Sequence, residues 1–225
     1  MIDKIVPTVA AALDGLHDGA TVMIGGFGPA GQPVQLIEGL LTAGVGELTV
    51  VSNNAGNGDA GLAALIGAGR VRRIVCSFPR QADSWHFDEK YRAGAIELEL
   101  VPQGTLAERI RAGAFGIGGF FTPTGYGTQL AEGKETRVID GRGMVLEQPL
   151  RADFALVSAQ RADPWGNLVY RKTARNFGPM MAAAAATTIV QVRETVALGE
   201  LDPEAVVTPG IFVDRVVRID KEETR

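Results

Sequence analysis

Short apolar runs alternate with helix-like segments through the first half of the sequence, and this alternation constrains the fold more than any other feature. The runs are rich in β-branched residues and bounded by Gly, Asn or Pro, which is typical of strands. The predicted strands are residues 21–26, 48–52, 71–76 and 96–101, and the predicted helices are residues 33–42, 60–66, 84–92 and 105–112. Repeated strand–helix–strand units predict right-handed crossovers and a mostly parallel sheet covered by helices on both faces, a three-layer α/β/α fold.

The pattern weakens in the second half, where residues 113–127 carry six glycines. A turn at residues 140–143 predicts a hairpin between strands 137–139 and 144–147, which would form a small mixed-sheet region. Buried strands return at residues 153–159 and 188–192, separated by a helix near residues 174–186. We found no internal repeat and no linker, so a single domain over residues 1–225 is expected, with residues 221–225 as a solvated tail.

Composition narrows the functional classes. Hydrophobic residues make up 46% of the 225 residues and charged residues 21%, which is ordinary globular composition. The net charge of -4 and the scattered Lys and Arg argue against nucleic acid binding. No run reaches the length of a membrane span, and no apolar signal core follows Met1, so a cytoplasmic protein is expected. His17 and His86 lack ligand spacing, so no metal site is predicted.

A glycine-rich loop follows the first predicted strand and opens a helix. Its residues are Gly25, Gly26, Phe27, Gly28, Pro29, Ala30 and Gly31. Gly26, Gly28 and Gly31 match the G-x-G-x-x-G dinucleotide fingerprint, but Pro29 has no N–H to offer a pyrophosphate. The second strand also ends without the carboxylate that would hold a ribose. The residues alone therefore leave open a tight packing turn or a loop that approaches another ligand.

Three further strand ends carry hydrogen-bond donors and no acidic residue. The second ends in Ser52-Asn53-Asn54, the third in Cys76-Ser77-Phe78-Pro79-Arg80-Gln81 and the fourth in Pro102-Gln103-Gly104. Parallel sheets bind ligands beyond the carboxyl ends of their strands, so these loops predict a cleft suited to an anion or a carbonyl oxygen. The alternative, that Asn53 simply forms a turn, stays open. No nucleophile is paired with a base, and Cys76 lies in an apolar strand typical of a core.

These segments resemble the alpha subunit of family I coenzyme A transferases over most of the chain. The resemblance is carried by Asp18-Gly19, Val22-Met23-Ile24-Gly25-Gly26-Phe27, Ser52-Asn53-Asn54-Ala55-Gly56, Pro102-Gln103-Gly104-Thr105-Leu106-Ala107-Glu108-Arg109, Thr122-Pro123-Thr124-Gly125-Tyr126-Gly127-Thr128 and Arg171-Lys172-Thr173-Ala174-Arg175-Asn176-Phe177. The resemblance implies transfer of CoA from succinyl-CoA to a 3-oxo acid. Residues 76–81 resemble members that act on 3-oxoadipate in aromatic catabolism, since acetoacetate-type relatives differ there.

The resemblance also implies roles for partner and residues. The nucleophile would be a glutamate in a Ser-Glu-Asn-Gly motif of a separate beta subunit. This sequence has no such motif, which is expected of an alpha subunit, and the resemblance implies an A2B2 complex with the beta subunit. The residues from Gly25 to Gly31 would line CoA, Asn53 would donate to the oxyanion, and Gln103 would contact the substrate or its carbonyl oxygen. Arg80 is the candidate for the distal carboxylate of 3-oxoadipate, with a surface or interface ion pair as the alternative. CoA and succinyl-CoA would be substrates, and no cofactor would be bound permanently.

Two rival functions remain open on the sequence. One is transfer to acetoacetate or another 3-oxo acid within the same family. The other is a non-enzymatic module that binds sugar phosphate or nucleotide on the same fold.

Overall fold

A nine-stranded sheet forms the centre of the computed structural model, which describes residues 2–219. The strands are β1 (Ile5–Val6), β2 (Thr21–Ile24), β3 (Leu48–Val51), β4 (Val71–Cys76), β5 (Glu97–Leu100), β6 (Phe120–Thr122), β7 (Thr136–Ile139), β8 (Arg142–Glu147), β9 (Ala152–Ala162), β10 (Leu168–Val169), β11 (Ala185–Thr195) and β12 (Arg215–Arg218). The helices are α1 (Val9–Ala12), α2 (Val34–Ala43), α3 (Leu62–Gly67), α4 (Trp85–Arg92), α5 (Gln103–Ala114) and α6 (Gly178–Ala184).

The strand order of the main sheet is β1-β12-β11-β9-β2-β3-β4-β5, and all of these neighbours pair in parallel. The predicted mostly parallel sheet is therefore confirmed. The sequence did not reveal that β9 would lie beside β2, from which it is separated by most of the chain.

One edge of β9 is shared by two strands. Strand β2 pairs with it only as far as Ile24 opposite Leu156, and β10 pairs antiparallel with it at Leu168 opposite Ala162. The opposite edge of β9 is occupied by β11 up to Ala162. On the edge of β9 shared by β2 and β10, the residues between Leu156 and Arg161 have no strand paired with them. The glycine loop begins there, with the Gly25 N–H donating to the Leu156 carbonyl at 3.0 Å.

Helices cover both faces of the sheet, as the near-continuous apolar strands predicted. On one face, α1, α2, α3 and α4 pack against side chains such as Val22, Ile24 and Ile74. On the other face, α5 and α6 pack against Met23, Val75 and their neighbours. Successive residues of β2 thus enter opposite cores, which is the two-residue period of a strand. This arrangement is the predicted three-layer α/β/α fold.

A second, antiparallel sheet in the order β6-β8-β7 contains the predicted hairpin. Charged side chains join it to the main layers. The Lys134 ammonium lies 2.7 Å from the buried Glu147 carboxylate, and the Arg109 Nε donates to the Gln148 carbonyl at 2.8 Å. Arg109 also donates to Glu99 of β5 at 2.6 Å. The position of the small sheet is therefore coupled to α5, the helix that carries Gln103.

The predicted element boundaries differ from the observed ones in a few places. The helix expected near residues 174–186 begins only at Gly178, because a 3-10 turn (Lys172–Arg175) and Asn176 at φ 20° precede it. Five elements, α1, β1, β6, β10 and β12, were not predicted, and all of them have four residues or fewer. The predicted tail at residues 221–225 lies outside the described residues. Within residues 2–219, no helix is both long and apolar enough to cross a membrane.

Candidate active site

The carboxyl ends of β2, β3 and β4 lie side by side, which brings the glycine loop, Asn53 and the residues after Cys76 to one edge of the sheet. Helix α5 begins at the same edge with Gln103, because it follows the neighbouring strand β5. The predicted cleft is therefore assembled by the strand order. Its walls come from four loops that are distant in the sequence.

Asn53 is buried, with 3% of its surface exposed, and its side-chain oxygen is fixed by two donors. The Ser77 hydroxyl donates to Asn53 Oδ1 at 3.0 Å, and Gln103 Nε2 donates to the same oxygen at 2.6 Å. The Asn53 Nδ2 group donates to no described residue. Within residues 2–219, Arg70 Nε is the one side-chain nitrogen or oxygen that is both fully buried and without a hydrogen-bond partner, so Asn53 Nδ2 is not fully buried. Asn53 Nδ2 therefore reaches the accessible surface, so the amide offers its N–H groups to the cleft.

Ser77 belongs to the site although the sequence did not single it out. Its hydroxyl lies 3.0 Å from both the side-chain oxygen and the backbone carbonyl of Asn53, and its own backbone N–H donates to that carbonyl at 3.2 Å. These contacts orient the Asn53 amide before any ligand arrives. A serine directly after a buried strand was the available signal, but its partner on the adjacent strand end could not be read from the sequence.

Gln103 lies at the mouth of the cleft as the first residue of α5, and it is exposed. Its amide nitrogen holds Asn53, so the contact seen in the structure is with a neighbouring side chain. The predicted contact with substrate remains a prediction, to be made by the other amide hydrogen or by Oε1. The first N–H groups of α5 add a partial positive charge at this position.

The glycine loop folds back on itself beyond β2. The Phe27 N–H donates to the Ala30 carbonyl at 3.0 Å, and the Ala30 N–H returns a bond to the Phe27 carbonyl at 3.3 Å. Gly31 has φ +74°, and a Cβ there would overlap the Ala174 carbonyl oxygen. Only glycine fits at Gly31, because both the left-handed backbone and the close approach exclude a side chain. Phe27, at the tip, is 52% exposed.

Asn176 fastens the glycine loop to the segment that precedes α6. Its Oδ1 accepts from the Gly26 N–H at 3.2 Å, and its Nδ2 donates to the Ala30 carbonyl at 2.9 Å. The same side chain also bonds Thr173 and Phe177, so its polar groups are fully used. In the sequence, Asn176 lies in a segment that carries the family resemblance, and no role was predicted for it. The structure shows that it determines the shape of the loop.

Arg80 lies in the loop after β4 and is paired with α4. Its Nε donates to Asp88 Oδ1 at 2.6 Å, and 57% of its side chain is exposed. Its two Nη groups donate to no described residue. The ion pair that was the alternative for Arg80 is therefore present, while half of the guanidinium fork stays available to a carboxylate.

The ionisable groups at this edge do not supply a nucleophile. Burial raises the pKa of the Cys76 thiol to about 12, so the reactive thiolate is suppressed at neutral pH. Burial also raises the pKa of Glu99, but hydrogen bonds and charge attraction from Arg109 and Arg73 outweigh it, so that the pKa lies below its ordinary value. Across residues 2–219, no group of three His, Cys, Asp or Glu side chains is placed to hold a metal ion. The polar groups described in the cleft can orient and polarise a carbonyl.

This fold and donor set agree with the comparison to known families. The coenzyme A transferase family model matches residues 6–218, and the chain belongs to that family. An acyl-CoA transferase from E. coli O157:H7, solved as a thioester complex with CoA, shares the fold with a TM-score of 0.82 at 21% identity. The match covers 98% of this chain and 48% of that one.

Curated relatives are considerably more similar in sequence. Proteins from Pseudomonas putida and Acinetobacter baylyi, each named as the A subunit of 3-oxoadipate CoA-transferase, are 65% identical over 219 residues, which is 97% of this chain and 95% or 96% of theirs. A Bacillus subtilis protein, named as the probable A subunit of succinyl-CoA:3-ketoacid coenzyme A transferase, is 47% identical, covering 99% of this chain and 92% of its own length.

Proposed function

We propose that this chain is the A subunit of a 3-oxoadipate CoA-transferase, acting as one domain and pairing with a B subunit to move CoA from succinyl-CoA to 3-oxoadipate. The single observation that carries the proposal is 65% identity, over nearly the whole chain, to two relatives that bear this name. An A2B2 assembly working in the cytoplasm, as part of aromatic catabolism, completes the proposal.

The geometry of the cleft supports the chemistry. Attack on a thioester produces a tetrahedral intermediate whose oxygen becomes negative, and a preorganised neutral donor stabilises that oxygen. Asn53 has this character, because Ser77 and Gln103 hold its oxygen and leave its Nδ2 at the surface. The attacking carboxylate would be a glutamate of the B subunit. Its attack on the thioester carbonyl would expel CoA as a thiolate and leave a mixed anhydride between the glutamate and the succinyl group. The thiolate would then attack the glutamyl carbonyl, which forms a glutamyl-CoA thioester and releases succinate. The acceptor carboxylate would take up CoA by the same two steps in reverse, which restores the glutamate.

A second candidate acceptor is acetoacetate. The ion pair between Arg80 and Asp88 favours it, because an arginine already paired at 2.6 Å is less available to the distal carboxylate of a dicarboxylic acid. The Bacillus subtilis relative, named for 3-ketoacids, adds weight to this alternative. The variant Arg80→Met separates the two. If Arg80 binds the distal carboxylate, kcat/KM for 3-oxoadipate should fall about 30-fold or more while that for acetoacetate is spared.

The test of the main proposal is an assay of the chain alone and together with its B subunit. With succinyl-CoA and 3-oxoadipate, the reconstituted complex should form 3-oxoadipyl-CoA and succinate, and the isolated chain should show no turnover. Robust turnover by the isolated chain would refute its assignment as half of a two-subunit enzyme. A complex that prefers acetoacetate would refute the choice of acceptor.

A further inference from the structure

A cavity of about 860 Å³ lies beside the glycine loop, and Asn53 is not among the residues that line it. Phe27 and Ala30 of the loop form one wall, and Tyr170, Lys172 and Arg175 form the other. The sheet order explains the placement. Tyr170 follows β10 on the edge of β9, β2 is the next strand, and Asn53 follows β3 beyond it.

Two cations line this cavity without a partner. Lys172 and Arg175 are exposed, and within residues 2–219 neither side chain takes part in an ion pair or a hydrogen bond. Lys172 keeps a left-handed backbone at φ 50°, which is unfavourable for a residue with a side chain. Arg109, by contrast, contacts two carboxylates and a carbonyl. Unpaired cations beside an apolar wall provide a site for a polyanion.

The segment that carries these cations is held rigidly to the glycine loop. The Asn176 side chain forms hydrogen bonds with the backbone of the glycine loop at Gly26 and with the backbone of the cation-bearing segment at Thr173. The Ala174 carbonyl lies against Gly31. Tyr170 is fixed from behind, since its hydroxyl lies 2.8 Å from the Thr208 hydroxyl. A ligand in the cavity would therefore meet a preformed wall rather than a loop that must be ordered on binding.

Resting on the proposed transferase function, we infer that Lys172 and Arg175 bind the phosphate groups of CoA, with the nucleotide end of the molecule in the cavity and its thioester at Asn53. The distance favours this ligand. Strands β9 and β3 are separated by two inter-strand spacings, about 10 Å, which the pantetheine arm of CoA can bridge. A four- to six-carbon acyl group reaching from Asn53 is too short to do so. The glycine loop, residues 25–31, would lie under the pantetheine arm of CoA.

The double variant Lys172→Gln/Arg175→Gln in the reconstituted complex tests the inference with two donors. Succinyl-CoA carries the phosphates, and succinyl-pantetheine has the same thioester without them. Loss of two charge-assisted contacts should raise KM for succinyl-CoA about tenfold or more and leave kcat near the wild-type value. Wild type and variant should show the same kcat/KM with succinyl-pantetheine. The KM of the wild type for succinyl-CoA should also rise with salt more steeply than that of the variant.

The control is Arg171→Gln, which removes one positive charge from an exposed neighbour that does not line the cavity. It should stay within about twofold of the wild type, because isolated exposed charges contribute little. An unchanged KM for succinyl-CoA in the double variant overturns the inference. Equal losses on both donors, a KM that rises only for the acceptor acid, or weaker association with the B subunit on gel filtration would each overturn it as well. Absence of CoA transfer by the wild-type complex would instead refute the proposed function.

Discussion

Replacing Asn53 by aspartate separates the observed hydrogen bonds to its side-chain oxygen from the proposed role of its Nδ2 group at the oxyanion. Asn53 Oδ1 accepts hydrogen bonds from Ser77 at 3.0 Å and from Gln103 at 2.6 Å, while Nδ2 is the group left for the substrate. An aspartate has the same shape and can accept both bonds. It has no N–H to offer an oxyanion, and its negative charge would repel one.

The magnitude follows from the geometry. Loss of one preorganised oxyanion donor costs about 100- to 1000-fold in kcat, or roughly 3–4 kcal/mol, and the added charge makes the loss in Asn53→Asp at least that large. Both internal bonds can persist, but a new carboxylate at a position that is only 3% exposed also lowers the free energy of unfolding. Asn53→Ala should show a similar loss of kcat and also lose about 1–3 kcal/mol of unfolding free energy, since it removes the side-chain hydrogen bonds from Ser77 and Gln103.

The assay combines kcat of each reconstituted complex with urea unfolding of the isolated chain. A large loss of kcat in both reconstituted complexes, measured under conditions where both variant chains remain folded, supports the oxyanion role. If Asn53→Asp keeps kcat within a few-fold of the wild type, the donor role is wrong. Asn53 would then serve only to hold the loops after β3 and β4 together.

Other measurements test the environment of the cleft. Cys76, with its pKa raised to about 12 by burial, should not react with a thiol reagent at pH 8 in the native chain and should react once the chain is unfolded in urea. Glu99 has a folded pKa below its unfolded value, so its contribution to stability is present at neutral pH and is lost as the pH falls from about 5 through the folded pKa. Between pH 7 and pH 3, the free energy of unfolding measured in urea should therefore fall less in Glu99→Gln than in the wild type. Arg109→Met should destabilise the chain by about 1–3 kcal/mol, because it removes one cationic partner from Glu99 and one from Glu147, while Arg73 and Lys134 remain. Gly31→Ala should raise KM for succinyl-CoA strongly, whereas Gly28→Ala, where a Cβ meets open space, should cost only about 1 kcal/mol of stability from its positive φ.

The class of fold and the residue types at the strand ends could be predicted from local patterns in the sequence. Strand β4 was predicted at its observed bounds, and β3 and α4 within one residue, because buried parallel strands are apolar on both faces and their helices are bounded by Pro, Ser and Gly. The glycine loop, Asn53 and Gln103 could be named for a related reason. Each lies at the end of a well-patterned strand, where parallel sheets place their ligands.

The contacts between these residues could not be predicted from local patterns, because they depend on which strands become neighbours in the sheet. Strands β1, β10 and β12 are two to four residues long, and they exist because a longer neighbour supplies their hydrogen bonds. Local patterning cannot signal a strand of that length. The orientation of Asn53 by Ser77, the clamp formed by Asn176, and the cavity beside Lys172 all depend on which strands are adjacent. Strand order is set by packing between residues that are far apart in the chain. A single sequence gives the side chains, but it does not show which of them will be in contact.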